Sequence, residues 1–386
     1  RYALGDLLFH RKKWQACGGV FQQAFEVEPA GNLSEEALFA SADCWSRASH
    51  QRVGEATPSD GLKARPLDDE ERRMMQALDR YACHIVPNAA DTAARDRHVD
   101  VLLARARSYA IAGQHDKAAL AFRQVAFDFP ESEAAVGAAR RYVESLEILR
   151  RHWGRAACLA PMKADVPPLL ARQCKKTDGA EQARTDDCEA LTHVATDMRK
   201  IGAADLVARA DRQKTGRREL YREACDAYLA IWREEGEGPC RANEPRCKER
   251  GFDAVLYNGA QACQAAHLLA KSISIRKVLI DPELHLQDTE AARKAVYEIG
   301  ANYQALAVYD QAASYYERFA AESPEDPKAP TALADAIVLR LGLGQSDDAL
   351  EAASDFASRY ATKRPQEAAL VAFAVGAHHA AHERWG

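Results

Sequence analysis

The sequence predicts an all-α protein, an α-solenoid in which antiparallel helix pairs stack side by side. The first observation is the stretch 293–326, where apolar, small and aromatic residues recur at helical spacing in two successive segments. The second is that the same spacing returns at 1–30 and at 99–132. The third is composition, because helix-favouring alanine, leucine, arginine and glutamate dominate and alternating β-branched runs are scarce.

The stretch 293–326 contains one complete helix–turn–helix unit. The residues that line its two faces are Val296, Ile299, Gly300 and Tyr303 in the first segment, and Ala312, Tyr316, Phe319 and Ala320 in the second. Small side chains at Gly300 and Ala312 allow the two helices to approach closely, and the aromatic rings fill the space beside them. Pro324 ends the second helix, because proline lacks an amide donor.

The rest of the chain follows in order. Helices are expected over 1–30, 34–50, 70–86, 99–154, about 181–235, 252–280 and 290–386. Glycines and prolines predict inserted loops at 51–69, 154–180 and 234–251. We expect one continuous array over 1–386, cut within repeats at both ends, and therefore a segment of a longer protein.

The 34-residue unit resembles the tetratricopeptide repeat, whose pattern of apolar, Gly, aromatic, Ala and Pro positions it follows. The resemblance implies a right-handed superhelix of helix pairs that acts as a protein–protein scaffold. It also implies that first helices line a groove for a partner. The groove positions in this sequence are Asp100, Leu103, Arg107, Lys294, Tyr297 and Gln304. An ordinary solvated surface is the alternative interpretation of these six residues.

Two phrases, "YYERFAAESPEDPKAPTALADAI" and "AALAFRQVAFDFPESEAAVGAA", are similar to repeats of bacterial outer-membrane assembly lipoproteins and Tol-Pal accessory proteins. This resemblance implies the periplasm or the outer membrane of a Gram-negative bacterium. It implies protein partners in an envelope complex for assembly, secretion, pilus formation or gliding motility.

Six of the ten cysteines form pairs placed symmetrically about predicted turns, where antiparallel helices bring equidistant residues to the same height. The predicted disulfides are Cys17–Cys44, Cys225–Cys263 and Cys240–Cys247. A further candidate joins Cys158 to Cys174, and Cys83 and Cys188 stay unassigned. Such bonds indicate an oxidising compartment. The alternatives are small buried hydrophobic residues, or zinc at Cys240 and Cys247.

Catalytic and metal signatures are missing from the sequence. It has no nucleophile elbow, phosphate-binding glycine loop or HExxH motif, so we predict neither an enzyme nor a cofactor. His378, His379 and His382 have helical spacing that suits a metal, but an exposed helix face is the simpler interpretation. The net charge is −5 and both signs are interspersed, so the sequence does not predict a basic surface that would bind nucleic acid.

The leading functional hypothesis is a non-catalytic periplasmic scaffold. One alternative is a cytoplasmic repeat adaptor with reduced thiols. Another is a repeat region attached to an enzyme domain outside this segment. The redox state of the cysteines separates the first two hypotheses, and the full reading frame separates the third.

Overall fold

A computed structural model of the chain describes residues 1–53, 62–88, 91–174 and 182–381. No residue in those ranges lies in a β-strand, and helices follow one another along the chain, which confirms the all-α class. The chain divides into two compact units, Arg1–Met198 (unit 1) and Arg199–Gly386 (unit 2). Across the described part of the chain, every helix is too short or too polar to cross a membrane. A single continuous array over 1–386 stays a prediction.

Unit 1 is built from helices that pack in sequence. They are α1 (Tyr2–His10), α2 (Trp14–Val27), α3 (Ser34–Val53), α4 (Asp69–His84), α5 (Thr92–Ile111), α6 (His115–Asp128), α7 (Ala135–Arg151), a 3₁₀ turn at Ala156–Cys158 and α8 (Leu159–Gln173). Each helix from α1 to α7 packs against its successor. One apolar cluster surrounds Phe21 and Tyr81, and a second surrounds Phe122 and Leu169. The boundary between the units falls within α9 (Gln182–Arg212).

Unit 2 follows the same plan. Its elements are α10 (Arg217–Ile231), a π turn at Trp232–Gly236, α11 (Glu237–Arg241), α12 (Arg246–Glu249), α13 (Phe252–Ala265), α14 (Leu269–Leu279), a 3₁₀ turn at Pro282–Leu284, α15 (Glu290–Ala305), α16 (Tyr309–Glu322), α17 (Ala329–Gly342), α18 (Ser346–Tyr360) and α19 (Pro365–Ala381). Helix α10 packs on α13, and each helix from α13 to α18 packs on its successor. Apolar clusters surround Leu256 and Tyr316.

The small residues of the repeat frame allow close helix contact, as predicted. A Cβ atom added to Gly300 would lie 2.8 Å from the Tyr316 ring, and one added to Gly5 would lie 2.8 Å from the Phe21 ring. Both glycines occupy the same place in their units, so the same contact recurs in α1–α2 and in α15–α16. A larger side chain at either glycine would push the helices apart.

Among the described residues, one turn geometry is shared by the pairs α1–α2, α5–α6, α13–α14, α15–α16 and α17–α18, and the short α11–α12 pair also has it at Asn243. The central residues, all with left-handed φ, are Lys12 (55°), Gly113 (68°), His267 (59°), Ala307 (58°) and Gly344 (74°). In each turn the next amide donates to the carbonyl five residues earlier, at 2.9–3.0 Å, as in a Schellman motif. The sequence frame identified three of these pairs, and the structure adds α13–α14 and α17–α18.

Substitutions in this turn test the shared geometry. We expect Ala307→Gly to raise the free energy of unfolding by about 1 kcal/mol, because it removes a Cβ atom from the left-handed region. Gly344→Ala should lower it by about the same amount, since nothing else lies near the new Cβ. Gly113→Ala should cost more, because its Cβ would lie 2.4 Å from the Lys63 carbonyl oxygen. Urea unfolding measures all three; equal stability of the three variants would contradict the shared strain.

The predicted loop at 154–180 is wrong over most of its described part. That part is largely α8, which contains Pro167 and Pro168. Each interior proline costs roughly 3 kcal/mol. Val166 and Leu169 are fully buried at helical spacing in the unit 1 core, and burial of such side chains offsets the cost. The remaining residues of this prediction, 175–180, lie outside the described ranges.

The loop predicted at 234–251 is also mostly helical. It contains the end of the π turn, α11 and α12, with Cys240 and Cys247 buried. Its helical form follows from packing against Trp232 and Phe252, whose rings lie against Gly236.

The loop predicted at 51–69 agrees with the structure over 62–68, whereas 51–53 belong to α3 and Asp69 begins α4. Residues 62–68 are not helical, whereas 54–61 lie outside the described ranges. The Arg65 amide donates to the Ala112 carbonyl at 2.9 Å, which holds this segment against the α5–α6 turn.

Three disulfides join the cysteines that the symmetry argument paired. The Cα–Cα distances are 5.9 Å for Cys17–Cys44, 5.1 Å for Cys225–Cys263 and 4.9 Å for Cys240–Cys247. The first bond joins α2 to α3, the second joins α10 to α13, and the third joins α11 to α12.

The predicted Cys158–Cys174 bond is wrong, because Cys174 pairs with Cys188 at a Cα–Cα distance of 5.5 Å. Cys158 and Cys174 flank opposite ends of α8, a helix of 15 residues. A helix of that length spans about 22 Å, far beyond disulfide reach. Cys158 and the exposed Cys83 are free thiols.

Candidate functional site

The first helices of three successive pairs in unit 2, α13, α15 and α17, carry a cluster of polar and aromatic side chains. We call this cluster the first-helix face. It consists of Tyr257, Gln261, Lys294, Tyr297, Glu298 and Asp335. Helix periodicity places Tyr257 and Gln261 on one side of α13, and Lys294, Tyr297 and Glu298 on one side of α15.

Glu298 is the centre of a hydrogen-bonded network on this face. Its Oε1 accepts from the Tyr257 hydroxyl at 2.9 Å and from Gln261 Nε2 at 2.8 Å. Its Oε2 accepts from Arg276 Nε of α14 at 2.8 Å. Arg276 is 0% exposed, so its charge is neutralised entirely inside the protein.

Both terminal nitrogens of Arg276 also have hydrogen-bond partners. Nη2 donates to Gln264 Oε1 at 2.9 Å, and Nη1 donates to the Ser272 hydroxyl. Asn302 Nδ2 donates to the same hydroxyl at 3.2 Å. Side chains from α13, α14 and α15 are therefore held in one register, which gives the first-helix face a fixed geometry.

Tyr297 supplies an aromatic surface beside this network. Its ring centroid lies 5.5 Å from that of Tyr316 and 5.3 Å from that of Phe319, and Lys328 Nζ lies 4.8 Å from its centroid. Burial raises the pKa of Tyr297, and the negative charge of Asp335 raises it further. The ring is half-buried, so one part of it remains open to a ligand.

Asp335 of α17 is the carboxylate on this face that lacks a charged partner. No ion pair and no hydrogen bond joins its side chain to any residue in the described ranges. It is half-buried, and burial raises the pKa of its carboxyl group above the ordinary value. Loss of hydration at a charged carboxylate costs free energy unless a partner compensates.

The predicted groove residues of α15 have different environments. Lys294 is exposed, and its Nζ lies 2.6 Å from Glu290 Oε1. The hydrogen bond to Glu290 raises the pKa of Lys294. Gln304 is also exposed, and its Oε1 accepts from the Tyr316 hydroxyl at 2.7 Å. Of these side chains, Lys294 and Tyr297 belong to the first-helix face.

The predicted groove residues of α5 belong to unit 1. Leu103 is 5% exposed and packs in the core, so its assignment to a groove is wrong. The reason is that its helix position also faces α6 and α7. Arg107 is exposed. Asp100 lines a cavity of about 560 Å³ with Arg95 and Phe129, between the start of α5 and the α6–α7 connection.

Sequence reasoning missed Asp335 and Arg276. Asp335 is the single charged residue between Pro330 and Leu339 in α17. Arg276 lies three residues from both Ile273 and Leu279, on the buried side of α14. A charge at a position that helix periodicity assigns to the core was the available signal.

The histidines of α19 do not form a metal site within the described residues. His382 lies outside them, and no group of three metal-ligating side chains occurs in the described ranges. His378 Nε2 lies 2.9 Å from the Ser346 hydroxyl oxygen.

Comparison with known proteins gives a distant structural likeness. No protein-family model and no curated protein matches the chain. Among solved structures, it is similar to that of Naa15/Naa10 bound to HypK-THB, with 13% identity and a TM-score of 0.21 over 91% of this chain and 56% of that one. The chain thus spans just over half of the protein it matches. A likeness at these values carries no argument about partners or activity.

The helix pairs and their common turn define the class of the protein. Sequential antiparallel pairs, close Gly–aromatic contacts and one recurring Schellman turn describe a tetratricopeptide-like α-solenoid within each unit.

Proposed function

We propose that the chain is a non-catalytic scaffold whose first-helix face in unit 2 binds a segment of a partner protein. The observation that carries the proposal is Asp335, a half-buried carboxylate without an ion pair among the described residues. A cationic side chain of the partner would restore the interaction that burial removes. The Tyr297 ring beside it offers apolar contact area.

The compartment we propose is oxidising, and specifically the periplasm or the outer-membrane surface of a Gram-negative bacterium. Four disulfides support an oxidising compartment. The resemblance of two repeat phrases to bacterial envelope proteins supports the narrower assignment. The partners would then be other subunits of an envelope complex.

Asp335→Asn should separate stability from binding. The raised pKa means that the folded state holds this proton more tightly than the unfolded state, so the wild type loses stability as pH rises through that raised pKa. We expect the variant to unfold at a higher temperature than the wild type at pH 7. The difference should vanish below about pH 3, where the carboxyl is protonated in both states. Partner capture should weaken in the same variant.

Thermal unfolding at pH 3 and pH 7 measures the first effect, and quantitative crosslinking in the native source measures the second. A variant that is less stable than the wild type at pH 7 would contradict the assignment of Asp335 as an uncompensated charge. A variant that captures the partner normally would remove Asp335 from the binding site.

Charge reversal at Lys294 is the direct test of the face. We expect Lys294→Glu to reduce partner capture about tenfold, or about 1.4 kcal/mol, with little change in stability, because the side chain is exposed. Lys363→Glu, at an exposed lysine after α18, is the matched control and should capture normally. Arg107→Glu tests in the same way whether the predicted groove residue of unit 1 contributes to partner capture. Normal capture by the Lys294 variant would exclude the proposed face, and normal capture by both variants would exclude the predicted groove residues in both units.

A further inference from the structure

The turn between α15 and α16 exposes an uninterrupted apolar run. Residues 305–309, "ALAVY", are all solvent-exposed, with Leu306 at 42%, Val308 at 37% and Tyr309 at 42%. Leu343, at the equivalent position of the α17–α18 turn, is 41% exposed. We call Leu306, Val308, Tyr309 and Leu343 the turn-edge patch. Consecutive exposed apolar residues are uncommon on a protein surface unless they bind something.

The fold does not require apolar residues in this turn. The equivalent turns have the same hydrogen bonds with the sequences "RKKW" at 11–14 and "AGQH" at 112–115. In the α15–α16 turn even the left-handed position is Ala307, where glycine would be less strained. The local sequence is therefore explained by something other than the turn geometry.

The two turns that form the patch lie side by side. Arg340 of α17 donates to the Ser314 hydroxyl at 2.9 Å and to both carboxylate oxygens of Glu317 in α16, at 2.9 and 2.8 Å. Asp310, next to Tyr309, and Asp348, in the first turn of α18, both act electrostatically on Arg340. The apolar residues of the two turns therefore share one surface.

Carboxylates lie beside this surface, in the first turns of α16 and α18. Asp310, Asp347 and Asp348 are exposed, and none of them forms an ion pair with a residue in the described part of the chain. Of the neighbouring cations, Arg340 is already bound to Glu317, and Lys277 Nζ lies 5.5 Å from the Tyr303 ring centroid and 5.9 Å from that of Tyr315. These acids lie in the first turns of α16 and α18, where the helix dipole favours negative charge. They form a negatively charged rim beside the turn-edge patch, which we call the acidic rim.

We propose that the turn-edge patch binds a basic amphipathic segment of a partner protein. Its apolar side chains would contact Leu306, Tyr309 and Leu343, and its lysines or arginines would pair with the acidic rim. The same rim opposes an anionic membrane surface and opposes a second copy of the patch. Leu306 lies nine residues beyond Tyr297, about 13 Å along α15, so this surface is separate from the first-helix face.

A labelled helical peptide with one leucine face and one lysine face is the probe, and a leucine–glutamate peptide of equal length is its control. Fluorescence anisotropy should show saturable, salt-sensitive binding of the basic peptide alone.

Leu306→Ser with Tyr309→Ser should weaken binding about tenfold. Asp310→Asn with Asp347→Asn and Asp348→Asn should weaken it and flatten its salt dependence. Leu370→Ser with Phe373→Ser, on the exposed apolar side of α19, should bind like the wild type.

Several results would overturn the proposal. The basic peptide could fail to bind, or the acidic peptide could bind equally well. The α19 control variant could also lose as much affinity for the basic peptide as the Leu306 and Tyr309 variant does. Binding to phosphatidylcholine vesicles that the Leu306 and Tyr309 substitutions abolish would assign the patch to a membrane instead. Self-association that the same substitutions abolish would assign it to a second copy. The Asp→Asn variant keeps the test valid if the serine variant fails to fold.

Discussion

Replacing both Cys225 and Cys263 with alanine is expected to lower the free energy of unfolding by about 4 kcal/mol. The bond closes a loop of 38 residues and joins α10 to α13 across the inserted π turn and short helices. Loss of the bond frees this loop in the unfolded chain, and the entropy of loop closure sets the magnitude. Urea unfolding without reductant measures the effect.

Two comparisons control this result. Replacing Cys240 and Cys247, which are only seven residues apart, should cost about 2 kcal/mol. Replacing the free thiols Cys83 and Cys158 should cost far less, because no loop is opened. Mass counting after alkylation should show two modified cysteines before reduction and ten after it. Ten modified cysteines before reduction would refute the disulfides and the oxidising compartment together.

The sequence was sufficient for the local architecture of the pairs. Gly300 and Tyr316 could be placed in contact because both fall at fixed positions of one repeat frame. Cys17 and Cys44 could be paired because their distances from one turn are nearly equal. Both inferences depend on a single hairpin, where helical spacing and a short turn fix the geometry.

Sequence reasoning failed where the structure depends on packing between neighbouring helix pairs, or on the balance between local backbone preference and burial. Pro167 and Pro168 indicate a loop by local preference, but burial of Val166 and Leu169 keeps α8 helical. The position of Cys174 next to Cys188 depends on that helix. Because the sequence did not predict α8, it did not predict this disulfide either.

The candidate site was harder to predict than the fold. Lys294 and Tyr297 follow from the frame. Asp335 and the network around Glu298 depend on how three pairs pack, which no single repeat contains. Leu103 is an error of the opposite kind. The repeat frame assigns its position to the groove, but in α5 this position is buried in the core.

Glu298→Gln is expected to destabilise unit 2 by roughly 3–5 kcal/mol. The substitution keeps the shape of the side chain but leaves the fully buried guanidinium of Arg276 without its counter-ion. Gln264 and Ser272 still accept from Arg276, yet neither carries a charge. Urea unfolding should therefore show a large loss, even though Glu298 lies partly at the surface.

A double-mutant cycle distinguishes this mechanism from general damage to the network. Arg276→Met removes the buried charge, so Arg276→Met with Glu298→Gln should be more stable than Glu298→Gln alone. Strict additivity of the two substitutions would show that the ion pair does not hold α14 against α15. Because Glu298 also orders Tyr257 and Gln261, the double variant should regain stability without regaining the geometry of the first-helix face. Partner capture should therefore stay weak in a protein that is again well folded.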